Sequence, residues 1–131
     1  MFLSQSDFSK VIKLSPLISI DLCIIKNRKI LLGKRNNSPA KDYFFVPGGR
    51  IFKSELKINA LKRILKEELG FEIKNDNYNF IKLLGDYEHF YRDNFLSNNS
   101  FSTHYVVLAY LIPYNSLTQI EKEVDKEQHS E

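Results

Sequence analysis

The segment from Ser54 to Gly70 constrains the fold most, because it combines helical periodicity with signals for both helix ends. Ser54 is a favourable N-cap residue, Glu55 follows in the predicted first turn, and Gly70 stands where helices commonly end. At about 100° per residue, apolar side chains fall on one arc. The arc contains Ala60, Leu61, Ile64 and Leu65. The segment therefore predicts one helix with one apolar face.

Two strands are predicted before this helix. Residues 18–24 alternate between apolar and more polar side chains, with Asp21 on the polar side. Residues 43–46 form a shorter strand that leads into a Pro-Gly-Gly turn.

Two long segments after the helix are rich in aromatic and β-branched residues. They cover residues 80–91 and 102–112, and a polar segment separates them, so we expect an antiparallel pair. Residues 113–131 are polar and show no clear period. Several strands around one helix, without strict alternation, predict a mixed α+β domain and not a doubly wound sheet.

Length, charge and cysteine content limit the class of protein. The 131 residues suit a single domain, and the net charge of +3 mildly favours an anionic ligand. Runs of lysine and arginine are absent, so we expect no nucleic-acid partner. Cys23 is the only cysteine, which suits the cytoplasm. The apolar segment 17–25 contains Asp21 and is too short to cross a membrane.

Glu68 occupies an unusual position, because it falls in the middle of the apolar arc. A buried carboxylate must be protonated, paired with a basic side chain or bound to a cation. An ion pair with an arginine of the sheet, or a solvated pair of Glu67 and Glu68, would explain the position without a ligand. The carbonyl oxygens of Gly48 and Gly49 favour the third explanation, since Mg²⁺ and Mn²⁺ prefer oxygen ligands.

The spacing of residues across this region resembles the Nudix box, G-x5-E-x7-R-E-U-x-E-E-x-G-U, in which U is apolar. The matching positions are Gly49, Glu55, Arg63, Glu67, Glu68, Gly70 and Phe71. Ile64 departs from the pattern, because the box has a glutamate there. The resemblance implies a Nudix fold, in which a mixed β-sheet is packed between helices, and a hydrolase that uses a divalent cation on nucleoside diphosphate derivatives.

A second resemblance points to the GDP-mannose mannosyl hydrolase branch of that family. It is carried by residues 1–3, 19–21, 32–35, 45–50, 89–91, 93–95, 103–108 and 127–129. The branch is known for a degraded box, which makes Ile64 expected. It implies that GDP-mannose, and also GDP-glucose, is hydrolysed at the anomeric carbon to GDP and a free sugar of inverted configuration. A role in surface polysaccharide biosynthesis is implied by the same analogy.

The resemblance also implies a role for particular residues. Mg²⁺, or Mn²⁺ in its place, would be held by Glu68, the Gly49 carbonyl and Gln128, with Glu67 as an additional carboxylate. His129 would be the general base.

The remaining implied positions surround the substrate. Arg35 and Arg50 would contact the charge of the departing GDP, and Tyr105 would donate a hydrogen bond to it. Asp21 and His89 would line the sugar side. Stacking on the guanine is expected from Phe2, Phe8 and Tyr91. As alternatives, the arginines could be ordinary surface charges and His89 a packed strand histidine, and we expect His104 to be structural.

Two features leave other activities open. Glu67 is retained although the branch commonly lacks it, which favours a pyrophosphohydrolase that attacks phosphorus. The chain ends shortly after His129, whereas the family continues with a strand and a helix. We therefore expect a truncated C-terminal part, and a nucleotide-sugar-binding domain without turnover is a further alternative. A homodimer is implied, with the segment around Phe2 and Leu3 against the partner.

Overall fold

The computed structural model describes residues 3–34, 44–76, 78–96 and 100–120. Four of the positions that the resemblance implies in the site lie outside the described residues. They are Phe2, Arg35, Gln128 and His129.

Helices and strands are mixed along the chain. The helices are α1 (Gln5–Leu14) and α2 (Lys57–Ile64), and a π-helix (Leu65–Leu69) continues α2. Short 3-10 turns cover Lys74–Asp76 and Tyr114–Ser116. The strands are β1 (Leu17–Lys26), β2 (Lys29–Ile30), β3 (Gly33–Lys34), β4 (Phe44–Phe45), β5 (Gly48–Arg50), β6 (Phe71–Ile73), β7 (Lys82–Tyr91), β8 (Thr103–Pro113) and β9 (Leu117–Gln119). No helix in these ranges is long and apolar enough to span a membrane.

A mixed sheet forms the centre of the molecule. Its strands follow the order β2-β1-β8-β7, and β5 also pairs with β1. The β1–β8 pair is parallel, whereas β2 and β5 are antiparallel to β1 and β7 is antiparallel to β8. Two smaller ribbons join β3 to β4 and β6 to β9. The predicted mixed α+β class and the antiparallel β7–β8 pair are confirmed.

Alternation along β1 separates the main core from a second face of the sheet. Ile20, Leu22 and Ile24 are almost fully buried and pack in one cluster with apolar residues of α2. Asp21 lies between them on the opposite face and is half-buried. Burial of large aliphatic side chains on one face stabilises the contact between sheet and helix, and leaves the other face for polar residues.

Helix α1 was not predicted, so the expectation of a single helix was wrong. Ser4 caps the helix by accepting a hydrogen bond from the Asp7 backbone N–H at 3.1 Å. Ile12 is only 5% exposed, while most other residues of α1 remain in solvent. Phe8, Val11 and Ile12 recur at helical spacing, so the sequence carried a signal for α1 that the prediction missed.

The predicted start of α2 was also wrong. Ser54 has a left-handed backbone with φ of 67°, and the N-cap is Leu56. Glu55 therefore precedes the helix, where its carboxylate accepts a hydrogen bond from the Phe52 backbone N–H at 3.0 Å. The predicted end is confirmed, since Gly70 adopts φ of 69° at the C-cap.

The π-helix changes the face on which the last helical residues lie. Its wider turn brings both Leu65 and Leu69 into the core, at 0% and 5% exposure. Glu68 is consequently half-buried, and not in the middle of the apolar face as uniform α-helical geometry predicted.

The stretch after β8, which showed no period, contains the short strand β9. It pairs with β6, and the Ile120 backbone N–H donates to the Gly70 carbonyl at 2.8 Å. Backbone pairing over three residues leaves too little sequence signal for a strand to be predicted.

Candidate functional site

The strand registers bring four of the implied site residues onto one face of the sheet. Asp21 lies opposite Ala109 of β8, His89 lies opposite Tyr105, and Arg50 lies opposite Ser19 of β1. Since opposite residues share a face and alternate residues along a strand do too, Asp21, Arg50, His89 and Tyr105 point the same way. We refer to this surface, opposite the α2 core, as the site face.

Asp21 is held in a restricted environment where β5 pairs with β1. Gly48 lies opposite it, and a Cβ atom added there would collide with the Ile20 carbonyl and lie 3.1 Å from Asp21 Oδ1. Only glycine permits this approach. Burial raises the pKa of Asp21 to about 6, and the charge of His89 acts in the opposite direction. Asp21 can therefore exchange a proton near neutral pH.

Cys23 lies two residues further along β1, on the same face. Burial and the neighbouring Asp21 charge raise the pKa of its thiol. The thiol stays protonated near neutral pH, and it is not an activated nucleophile.

Aromatic rings border the β7 side of the site face. The Tyr91 ring lies 6.4 Å from the His89 ring at 23° and 6.2 Å from the Tyr105 ring at 79°, measured between ring centroids. His104, expected to be structural, stacks on Phe90 at 4.3 Å on the opposite face. The structure thus places His89, Tyr91 and Tyr105 together and separates His104 from them.

Arg50 lies between two aromatic rings at the other side of the site face. Its guanidinium carbon is 5.4 Å from the centroid of Phe8 in α1 and 5.0 Å from that of Phe52. Burial and the Arg63 guanidinium lower the pKa of Arg50, while Tyr105 and Glu55 act against this shift. Arginine nevertheless remains charged at any physiological pH, so Arg50 brings a fixed cation to the site face.

Arg63 connects α2 to the loop that follows β5. Its Nε and Nη2 donate to the two carboxylate oxygens of Glu55 at 2.8 and 3.1 Å, and Nη2 donates to the Arg50 carbonyl at 2.7 Å. Nη1 donates to Glu67 at 3.2 Å. These bonds raise the pKa of Arg63 and lower that of Glu55. Arg63 and Glu55 both lie in the box pattern, but their spacing did not predict that the two side chains pair.

The implied cation ligands lie where α2 approaches β5. A Cβ atom added at Gly49 would be 3.1 Å from Ile64 Cγ1, and Glu68 follows Ile64 one turn later. Glu67 is exposed and pairs with Arg63. Within residues 3–34, 44–76, 78–96 and 100–120, no three His, Cys, Asp or Glu side chains converge as a metal site.

This donor set fits Mg²⁺, which commonly binds one or two carboxylates and completes its shell with water and substrate phosphates. Carboxylate and carbonyl oxygens are the hard donors that such an ion requires. Glu68 and the Gly49 carbonyl would hold the cation, with Glu67 close by.

Comparison with known proteins gives a consistent family. The sequence pattern of the NUDIX domain matches residues 16–131. Among solved structures, a MutT NUDIX hydrolase from Burkholderia pseudomallei superposes with a TM-score of 0.68 at 24% identity, over 89% of this chain and 80% of that one. At this identity, the likeness concerns the fold.

Two curated relatives are similar in sequence. The low-salt glycan biosynthesis protein Agl8 of Haloferax volcanii is 36% identical over 106 residues, which cover 81% of this chain and 64% of that protein. An ADP-ribose pyrophosphatase of Methanocaldococcus jannaschii is 44% identical over 57 residues, 44% of this chain and 34% of that one. The chain thus spans less than two thirds of either relative.

Proposed function

Because this chain belongs to the Nudix hydrolase family, we propose that it hydrolyses GDP-mannose, and also GDP-glucose, to GDP and the free sugar. The observation that carries the proposal is the convergence of Asp21, Arg50, His89 and Tyr105 on one face of the sheet. Resemblance alone suggested these four positions, and three separate strand pairings bring them together.

The proposed reaction breaks the bond between the anomeric carbon and the diphosphate oxygen. Water attacks the carbon from the opposite side, the bonding electron pair leaves with GDP, and the sugar configuration is inverted. Arg50 and Tyr105 stabilise the negative charge that develops on the departing diphosphate. Asp21 and His89 orient the sugar hydroxyls, and His129, outside the described residues, is the proposed base that takes the proton from water.

A divalent cation, Mg²⁺ or Mn²⁺, would add positive charge beside the diphosphate. We propose Glu68, the Gly49 carbonyl and Gln128 as its protein ligands. Hard oxygen donors on adjacent elements support this choice for Glu68 and Gly49.

The similarity to Agl8 supports a sugar nucleotide as substrate, because the name of that protein refers to glycan biosynthesis. A supply of GDP-sugars for surface polysaccharide is the corresponding cellular role. We also propose that residues 1–131 form one domain that acts as a homodimer, which light scattering of the purified protein would test by a mass near twice 15.4 kDa.

Product analysis in ¹⁸O-labelled water tests the proposed reaction. Attack at carbon places the label in the free sugar and releases unlabelled GDP. Recovery of GMP with sugar 1-phosphate, with the label on phosphorus, would contradict the proposal.

That second outcome belongs to the alternative activity, a pyrophosphohydrolase. The retained Glu67 and the similarity to an ADP-ribose pyrophosphatase favour it. A third outcome, GDP binding without hydrolysis at saturating Mg²⁺, would identify a nucleotide-sugar-binding domain.

The two adjacent carboxylates allow a matched test of the cation site. We expect Glu68→Gln to raise the Mg²⁺ concentration for half-maximal activity at least about tenfold, because a ligand is lost. Glu67→Gln should change it less than about fivefold, because Glu67 is exposed and its ion pair with Arg63 contributes little. Equal effects in a Mg²⁺ titration of both variants would show that the ligand is wrongly assigned.

A further inference from the structure

A row of alternating rings and guanidinium groups runs from α1 to α2 across the edge of the site face. Phe95 packs on Phe8 with ring centroids 4.9 Å apart. Arg50 lies 5.4 Å from Phe8 and 5.0 Å from Phe52, and Arg63 lies 3.8 Å from Phe52 on its guanidinium carbon. We refer to these five residues as the stacked row.

The two guanidinium groups of the stacked row make different contacts. Arg63 is paired with the carboxylates of Glu55 and Glu67. Arg50 sits beside Arg63, whose charge helps to lower the pKa of Arg50, and its contacts in the row are with ring faces. A ring face attracts a cation without using its N–H donors. The contacts with Phe8 and Phe52 therefore do not occupy the N–H donors of Arg50.

The rings of the stacked row are not part of the main core. Phe8 and Phe52 are both half-buried, and neither belongs to the cluster of buried residues between β1 and α2. Both rings instead contact the guanidinium group of Arg50. Phe8 was expected to stack on guanine, and its contacts with Arg50 and Phe95 give it a second role.

We propose that Phe52 and Phe8 are positioning residues that hold the Arg50 guanidinium at the site face. The inference rests on the proposed function in one respect, the contact of Arg50 with the diphosphate. It assigns α1 a part in catalysis, because Phe8 comes from that helix and packs on Phe95 as well as on Arg50.

Arginine side-chain NMR tests the position of Arg50 without any assay of activity. Ring currents of Phe8 and Phe52 should displace the Arg50 Nε–H proton signal from that of a solvated arginine. We expect Phe52→Leu to move the signal back and Phe52→Tyr to keep it. The control Phe71→Leu, whose ring packs edge-on against Tyr114 at 5.8 Å, should leave it unchanged. An Arg50 signal that is the same in wild type and Phe52→Leu would overturn the proposal.

Enzyme kinetics and GDP binding then test how the loss of Arg50 positioning affects catalysis and ligand binding. We expect Phe52→Leu to lower kcat/KM for GDP-mannose about tenfold, equivalent to about 1.4 kcal/mol, mainly through kcat. Phe52→Tyr should restore most of it, and Phe71→Leu should lower the melting temperature without this loss.

An equal loss in Phe52→Tyr and Phe52→Leu would show that Phe52 acts only through packing and would overturn the proposal. If the wild-type protein does not turn over GDP-mannose, the proposed function fails on its own. The NMR signal and the GDP affinity of the same variants still decide whether the rings position Arg50.

Discussion

At the scale of single residues, Arg63 makes the strongest set of charged contacts that the described chain shows around the site. Its side chain is 21% exposed and that of Glu55 is 16% exposed, so water screens this ion pair only in part. Removing one partner would leave the other poorly solvated.

We expect Arg63→Ala to lower the free energy of unfolding by about 2–4 kcal/mol, because Glu55 and the Arg50 carbonyl both lose their donors. Urea unfolding measures this directly. Lys66→Ala, an exposed change three residues later, is the matched control and should stay within about 0.5 kcal/mol. Similar values for both variants would show that the ion pair contributes no stability.

Asp21 makes stability depend on pH in the direction opposite to most carboxylates. Its pKa of about 6 lies above the ordinary value of 3.8, so the folded chain holds the proton more tightly than the unfolded chain. The neutral form favours folding, and that contribution is lost as the pH rises through about 6.

We therefore expect Asp21→Asn to raise the melting temperature above pH 6 and to leave it unchanged below pH 3.8, in metal-free buffer. His89→Gln should raise the pKa of Asp21 further, because the charge that opposes the shift is removed. Carbon NMR of the Asp21 carboxyl group measures this pKa. A value near 3.8 in the wild type would show that the carboxyl is well solvated.

The sequence predicted which face of β1 carries Asp21, but not the contacts that surround the candidate site. Asp21 on the polar face of β1 followed from alternation alone. The partners of Arg63 and the rings around Arg50 could not be predicted, because residues distant in sequence, such as Phe8 and Phe52, meet only through the fold.

At the scale of elements, the pairing of β5 with β1 depends on two glycines with different surroundings. A side chain at Gly48 would meet the backbone carbonyl of Ile20, which cannot move without separating the strands. A side chain at Gly49 would lie 3.1 Å from the Ile64 side chain, a smaller overlap that a shift of a few tenths of an ångström relieves.

We expect Gly48→Ala to lower the free energy of unfolding by roughly 2–3 kcal/mol, and Gly49→Ala by about 1 kcal/mol. Chemical denaturation of both variants gives the comparison. The pKa of Asp21 should fall in Gly48→Ala only, because separated strands admit water to the carboxyl group. The reverse order of stability would indicate that Ile64 is the rigid partner.

The end of α2 shows where prediction from periodicity stops. Gly70 correctly predicted the end of the helix, because a left-handed residue at the C-cap is enough to end it. The π-helix before it changes the number of residues per turn between Leu65 and Leu69, which uniform helical geometry does not predict.

At the scale of the whole molecule, the ribbon of β6 and β9 adds side chains to the main core near the end of the π-helix that continues α2. Leu117 in β9 is 6% exposed and belongs to the same cluster as Ile20 and Leu65. This strand comes from a polar segment, yet it completes a core that begins at β1.

We expect Leu117→Ala to lower the free energy of unfolding by about 2–5 kcal/mol, as for other buried leucines. Thr118→Ala, exposed in the same strand, should stay within about 0.5 kcal/mol. Denaturant unfolding separates the two. A small effect of Leu117→Ala would mean that the ribbon folds and unfolds apart from the main core.

The general fold was predictable because β1, β7 and β8 each carry a long pattern, whereas β9 has only three residues. A long pattern averages over many side chains, and a short element is decided by its neighbours. Helix α1 was missed although it has an apolar side at helical spacing and a capping pair of Ser4 and Asp7.

The apolar and polar faces of β1 also restrict which mutations this chain tolerates. Ile20 and Leu22 face α2 while Asp21 faces away, so inserting or deleting one codon within β1 would turn every later side chain of that strand over. If the change precedes Asp21, its carboxylate would enter the apolar core, and the aliphatic side chains that follow would be exposed to water. We therefore expect β1 to tolerate substitutions better than a change in its length.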